Sequence, residues 1–134
     1  MSTQERHNRD FLKGDWQEGH SYSLAVTATG GKTIYLSGVG AWEDESGKSL
    51  EGDFAGQTRF VFREIRRTLE KLGAGLDDIV STTTYVTDMK YRPQFIEIRK
   101  EFFTKGFPAS ALIGIKELAR PPMMIEVQAI AVVD

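Results

Sequence analysis

The chain has 134 residues, of which 40% are hydrophobic, enough for the core of one ordinary domain and too few for two. Its 17 Lys and Arg against 19 Asp and Glu give a formal charge of −2, so the basic surface of a nucleic-acid-binding protein is not expected. The absence of Cys excludes disulfides and thiolate chemistry and fits a reducing compartment. We therefore expect a cytoplasmic protein with no metal, no cofactor, no export leader and no membrane span.

The first residues form a separate segment by composition. Residues 1–18 are polar and unpatterned, with Phe11, Leu12 and Trp16 as the large apolar side chains. This predicts a loose N-terminal arm that docks through these three residues, followed by a single domain over 19–134.

Two short segments rich in β-branched and aromatic residues follow, over 22–27 and 33–37, with Thr-Gly-Gly-Lys at 29–32 between them. That sequence predicts an antiparallel hairpin. The stretch 38–52 is rich in Gly and acidic residues, which indicates a surface loop. Its Trp42 is large enough to need a partner surface, so the loop could fold over a pocket.

The period then changes to that of helices. Apolar residues recur at helical spacing from Asp53, a capping residue, to Gly73, a terminating residue. A strand is predicted over 79–86, a second helix between Asp88 and the Gly-Phe-Pro at 106–108, and strands over 111–115 and 123–133. The order ββαβαββ predicts an α+β fold, a mixed sheet with two helices on one face.

The last predicted strand has two apolar faces. Its odd positions from Met123 to Val133 are all apolar and suit a core, whereas its even positions are mostly apolar and would lie on the uncovered face of the sheet. A second subunit in a closed symmetric oligomer would cover that face, with Glu126 near the junction. The alternative is that the hairpin or the arm covers it.

Glu126 is the main catalytic candidate. A carboxylate among apolar neighbours in a strand interior is costly unless it is paired, protonated or in a pocket. It could position or deprotonate a water molecule. The alternative is a structural carboxylate satisfied by an amide or by a cation such as Lys116 or Arg120.

Several motifs, in this order, resemble the Rid family of reactive intermediate deaminases, also called YjgF. They are Tyr22-Ser23, Tyr35-Leu36-Ser37-Gly38, Gln57-Thr58-Arg59, the stretches 72–80 and 84–88, Phe107-Pro108-Ala109 and the stretch 125–131 with its Ile-Glu-Val. The resemblance implies a chorismate mutase-like fold of the bacillus type and a homotrimer, with the sheets packed inside as a barrel and clefts between neighbouring subunits. In deaminating members, the glutamate helps hold the water that hydrolyses an imine to a carbonyl compound and ammonia.

Carried onto this chain, the resemblance implies that Glu126 is catalytic and that Tyr22 and Ser37 line the cleft. The family's carboxylate-binding arginine, however, follows a Pro-Ala pair, and Ser110 stands at that position. Ser110 would instead bind a neutral group, and Leu112 suggests an apolar wall.

Other positions also depart from the family pattern. Ile96 replaces an asparagine of many members, and one extra residue separates Ser110 from Glu126. His20, Trp42 and Arg120 are candidates for the cleft rim, and His20, Arg120 or Lys116 could supply a cation.

With these departures, the resemblance implies a small-molecule enzyme, an imine or enamine deaminase whose substrate is not a simple α-imino acid. The first alternative is a trimer that binds a small molecule or a partner without catalysis. A ribonuclease is the least supported, because the chain lacks a basic surface.

Overall fold

The computed structural model describes residues 9–134, and these form two sheets, three α-helices and two short 3-10 helices, Leu76–Asp78 and Met89–Tyr91. A small antiparallel sheet pairs β1 with β2, and a five-stranded sheet has the order β3-β7-β5-β6, with β4 also paired to β7. Strands β5 and β6 are parallel, and the other pairs are antiparallel. The strands are β1 Arg9–Leu12, β2 Ala25–Ala28, β3 Lys32–Tyr35, β4 Val39–Gly40, β5 Ile79–Val86, β6 Ala109–Gly114 and β7 Ile125–Val133; the helices are α1 Asp15–Gly19, α2 Phe54–Glu70 and α3 Arg92–Phe102.

The two predicted long helices are confirmed. The Asp53 carboxylate caps α2 by accepting a hydrogen bond of 2.9 Å from the Gly56 amide, and Gly73 takes a φ of +76° just after the helix. Pro93 lies in the first turn of α3. The two helices pack through aromatic rings, with Phe62 of α2 against Phe95 and Phe102 of α3. This layer covers one face of the five-stranded sheet, as the α+β prediction requires.

The predicted hairpin over 22–37 is wrong. Strand β2 pairs with β1, and β3 pairs with β7, so the Gly-rich connection passes from one sheet to the other. The arm supplies the competing partner: the Phe11 ring lies over Gly106, and the Arg9 guanidinium donates a hydrogen bond of 2.7 Å to the Val132 carbonyl. Leu12 is 62% exposed and does not dock, and residues 1–8 of the predicted arm lie outside the described residues.

The two faces of β7 differ as the sequence pattern predicted. The five odd residues from Ile125 to Val133 are buried, whereas Glu126 and Ile130 on the other face are half-buried. Tyr35, opposite Ile130 in the sheet, is 76% exposed. The described residues therefore leave a partly apolar sheet face open.

Candidate active site

A cavity of about 190 Å³ lies where three segments meet: residues 20–22, helix α3 and the beginning of β6. Drug-sized ligands usually occupy roughly 300–1,000 Å³, so this volume suits a small metabolite. The lining residues are His20, Tyr22, Arg92, Ile96, Arg99, Ser110 and Leu112.

The segment before β2 is fastened to both of the other walls. The Ser23 hydroxyl donates to the Phe107 carbonyl at 2.6 Å, and Ser23 forms a parallel bridge with Ala109 at the start of β6. The Ser21 hydroxyl donates to the Ile96 carbonyl of α3 at 3.0 Å. Ser21 has a φ of +63°, a conformation that costs a non-glycine residue free energy. These contacts hold the segment against the cavity in spite of that strain.

Arg99 is the central polar group of the cavity. Its side chain reaches from α3 to the edge strand, where Nη1 donates to the Ser110 hydroxyl at 2.8 Å. Its Nε donates to the Ser21 hydroxyl and its Nη2 to the His20 carbonyl, both at 3.1 Å. Arg99 is only 3% exposed, and its guanidinium also lies 4.7 Å from the centre of the Phe95 ring. Three neutral groups therefore fix one guanidinium at the cavity wall.

No carboxylate among residues 9–134 forms an ion pair with this guanidinium. Burial lowers the pKa of Arg99 to about 10; the neighbouring Tyr22 opposes this shift, and the charge of Arg92 adds to it. Arg99 is still a cation at neutral pH. A guanidinium has five N–H donors, and the three hydrogen bonds leave one N–H on each terminal nitrogen for a ligand. Buried charges in proteins are usually paired, so the cavity is suited to an anion.

Four residues predicted for the site from the sequence line this cavity together: His20, Tyr22, Ser110 and Leu112. His20 stacks on the ring of Trp16 at 4.0 Å, and its Nδ1 lies 2.6 Å from the Trp16 carbonyl oxygen. Because a carbonyl oxygen only accepts, Nδ1 carries the proton and Nε2 is left for other partners.

Glu126 does not line the cavity, and the strand register explains why. Ser110 pairs with Thr82 of β5, which pairs with Ala129, and both partners are buried on the helix side of the sheet. Glu126 pairs with Tyr85, whose side chain points to the opposite side. In one subunit the sheet therefore separates Ser110 from Glu126.

The Glu126 side chain lies against Gly38, next to Ser37. A Cβ at Gly38 would be 2.8 Å from the Glu126 carboxyl carbon, so glycine makes room for the carboxylate. Among residues 9–134, this carboxylate has neither a hydrogen bond nor an ion pair, and Lys116 and Arg120 do not contact it. Within one subunit, neither of these two cations satisfies the Glu126 carboxylate.

Trp42 and Arg120 lie together outside the cavity lining. The Arg120 guanidinium stacks over the Trp42 ring at 4.2 Å, so the loop tryptophan finds its partner surface in this side chain. Arg120 does not supply the cation of the cavity, and neither does Lys116.

Arg99 and Arg92 are the site residues that the sequence analysis missed. Arg99 follows Phe95 by four residues and precedes Phe102 by three, so it occupies the apolar stripe of α3. A charged residue in an apolar stripe is the signal that could have identified it.

The α+β fold, the open sheet face and the cavity with its buried guanidinium are features that a small-molecule-binding protein would have. The chain belongs to the family described as Endoribonuclease L-PSP, the YjgF or Rid family, whose sequence profile matches residues 16–133. This confirms the family resemblance found in the motifs.

Individual relatives agree with this assignment. A RutC family protein of Pyrococcus abyssi is 32% identical over 110 residues, which are 82% of this chain and 84% of that protein. A human protein named 2-iminobutanoate/2-iminopropanoate deaminase is 29% identical over 111 residues, 83% of this chain and 79% of that protein. The crystal structure of YyfB, a Rid family protein of unknown function from Yersinia pestis, covers 94% of this chain and 99% of its own, with a TM-score of 0.82 and 24% identity. This last likeness concerns the fold.

Two searches of the described residues give negative results. Residues 9–134 contain no cluster of three or more His, Asp or Glu that could hold a metal ion. None of the helices in this part of the chain is both long and apolar enough to cross a membrane.

Proposed function

We propose that this protein is an imine deaminase in which Arg99 binds an acidic group of the substrate. The observation that carries the proposal is the buried Arg99 guanidinium, which contacts Ser110 and has no anionic partner among the described residues. Ser110 stands where the family resemblance places the carboxylate-binding arginine. In this chain the positive charge reaches the same place from helix α3.

This arrangement changes the substrate expected from the sequence. A charge-assisted hydrogen bond contributes on the order of 1.5–3 kcal/mol, more than a neutral one. Ser110 alone would give no such contact and suggested an uncharged substrate. With Arg99 beside it, the cavity favours an imine that carries a carboxylate, and Ile96 and Leu112 provide an apolar wall for the rest of the molecule.

The proposed reaction is the addition of water to a C=N bond. Glu126 positions the water, takes its proton as the oxygen attacks the carbon, and passes that proton to the nitrogen. In the resulting carbinolamine the hydroxyl proton moves to the nitrogen, the C–N bond breaks, and ammonia and a carbonyl compound are released. Tyr22 and Ser110 orient the substrate. An enamine enters the same route once it has tautomerised to the imine.

Because Glu126 lies on the opposite side of the sheet from Ser110, the reaction needs Glu126 from a second subunit. The open sheet face and the unpaired Glu126 carboxylate support a homotrimer with clefts between subunits, each lined by Arg99 of one copy and Ser37 and Glu126 of the next. Trp42, Arg120 and His20 would then lie at the rim.

The first test measures ammonia release from freshly generated imines of 2-amino acids. Arg99→Gln should raise KM and so lower kcat/KM about 10- to 100-fold, the loss of binding free energy expected when one charge-assisted contact is removed. Glu126→Gln should lower kcat instead, and the exposed-face variant Arg63→Gln serves as a matched control for loss of an arginine. Full turnover in Glu126→Gln would contradict the mechanism.

Complementation tests the inter-subunit cleft. If Arg99 and Glu126 come from different subunits, random assembly of coexpressed Arg99→Gln and Glu126→Gln chains leaves about a quarter of all clefts intact, with one intact cleft in each mixed trimer. Recovery of activity toward that fraction supports the proposal, and no recovery in a mixed assembly contradicts it. Ligand binding without any ammonia release would instead favour the non-catalytic trimer, and cleavage of RNA that Glu126→Gln abolishes would favour a ribonuclease.

A further inference from the structure

A second arginine, Arg92, lines the same cavity. It is the first residue of α3 and precedes Arg99 by seven residues, so two helical turns place both on one side of the helix. Arg92 is half-buried and forms no ion pair with residues 9–134. Its guanidinium lies 5.9 Å from the centre of the Trp16 ring, near the roughly 6 Å limit of a cation–π contact.

The position of Arg92 is unfavourable for the protein alone. Cations destabilise the N-terminal turn of a helix, because the partial charge there is positive. Arg92 also repels Arg99, and no acidic side chain lines the cavity to balance the two charges. A bound molecule with two negative charges would balance both.

We propose that the substrate carries two acidic groups and is the imine of a small amino dicarboxylic acid. Arg99 and Ser110 hold the carboxylate next to the C=N bond, and Arg92 holds the distal carboxylate. The apolar side chains of Ile96 and Leu112 contact the short carbon chain between them. A volume of about 190 Å³ suits a chain of four or five carbons better than a large aromatic side chain.

That the substrate is an imine rests on the proposed function, but the two acidic groups are tested by binding and not by turnover. The probes are 2-oxoglutarate and 2-oxopentanoate, stable keto acids with the same number of carbons that differ in the distal carboxylate. Calorimetric titration should show that the wild-type protein binds 2-oxoglutarate at least tenfold more tightly.

Three variants locate the effect. Arg92→Gln should weaken 2-oxoglutarate binding about tenfold and 2-oxopentanoate binding less than threefold, whereas Arg92→Lys should keep most of the preference because it keeps the charge. Arg99→Gln should weaken binding of both keto acids. The surface variant Arg63→Gln controls for the loss of one positive charge elsewhere and should change neither constant.

Equal affinity of the wild-type protein for the two keto acids would overturn the inference, as would a preference that survives Arg92→Gln. Neither result would affect the imine deaminase proposal, which depends on ammonia release. A preference for 2-oxoglutarate in a protein that releases no ammonia would support the dianion site and refute the enzyme.

Discussion

The substitution Ser110→Arg tests the proposed role of Arg99 against the arginine position that the family resemblance implies. If Ser110 simply marked a lost arginine, restoring that arginine should improve carboxylate binding. Here the Arg99 guanidinium already lies 2.8 Å from the Ser110 hydroxyl. A second guanidinium would lie about 4–6 Å away, and at an effective dielectric constant near 20 the repulsion is about 3–4 kcal/mol.

We therefore expect Ser110→Arg to be destabilised by up to about 3 kcal/mol and its melting temperature to fall by about 10 °C. The double variant Arg99→Ser/Ser110→Arg contains only one of the two guanidinium groups, so the repulsion is absent. Its free energy of unfolding should be at least about 2 kcal/mol higher than the sum of the two single-variant effects predicts. Thermal unfolding of the four proteins measures this coupling, and ammonia release measures whether the moved arginine still binds substrate. A Ser110→Arg protein as stable as the wild type and more active would refute the placement of Arg99 at the substrate.

The remaining predictions concern pH, the glutamate and the core. Burial lowers the pKa of Arg99 to about 10, and anions bind the protonated form, so the affinity for keto acids should be full below that pH and be lost as the pH rises above it. Binding titrations from pH 8 to 10.5 that show no such loss would exclude Arg99 as the group that binds the carboxylate. Gly38→Ala should lower kcat much as Glu126→Gln does, and it should unfold near the wild-type temperature because the new methyl group displaces only the flexible carboxylate end of the Glu126 side chain. A Gly38→Ala protein with wild-type turnover would count against a catalytic role for the Glu126 carboxylate at this position. Gln57→Leu should lower the free energy of unfolding in urea by about 2–4 kcal/mol, because the fully buried Gln57 amide satisfies two backbone carbonyls and one backbone N–H. A loss below about 1 kcal/mol would contradict this.

The helices were predictable because their signals are local. Asp53 as a cap, Gly73 as a terminator and apolar residues at helical spacing all act within a few residues of the chain. The alternation in β7 likewise predicted which of its residues are buried.

The pairing of the early strands was not predictable in the same way. The Gly-rich connection at 29–32 is compatible with a hairpin, but β2 and β3 each find a better partner far away in the sequence. Such pairing depends on which edges the whole fold leaves available, and a local turn signal does not contain that information.

For the site, the sequence by itself determined the family, the unusual Glu126 in an apolar strand and the serine that follows the Pro-Ala pair at position 110. Only the tertiary structure decided that Arg99 of α3 places a positive charge beside Ser110, and that the sheet separates this charge from Glu126. The physical reason is that a long side chain reaches a neighbouring element several ångströms away, so the residue that carries a charge at a site need not belong to the strand that lines it.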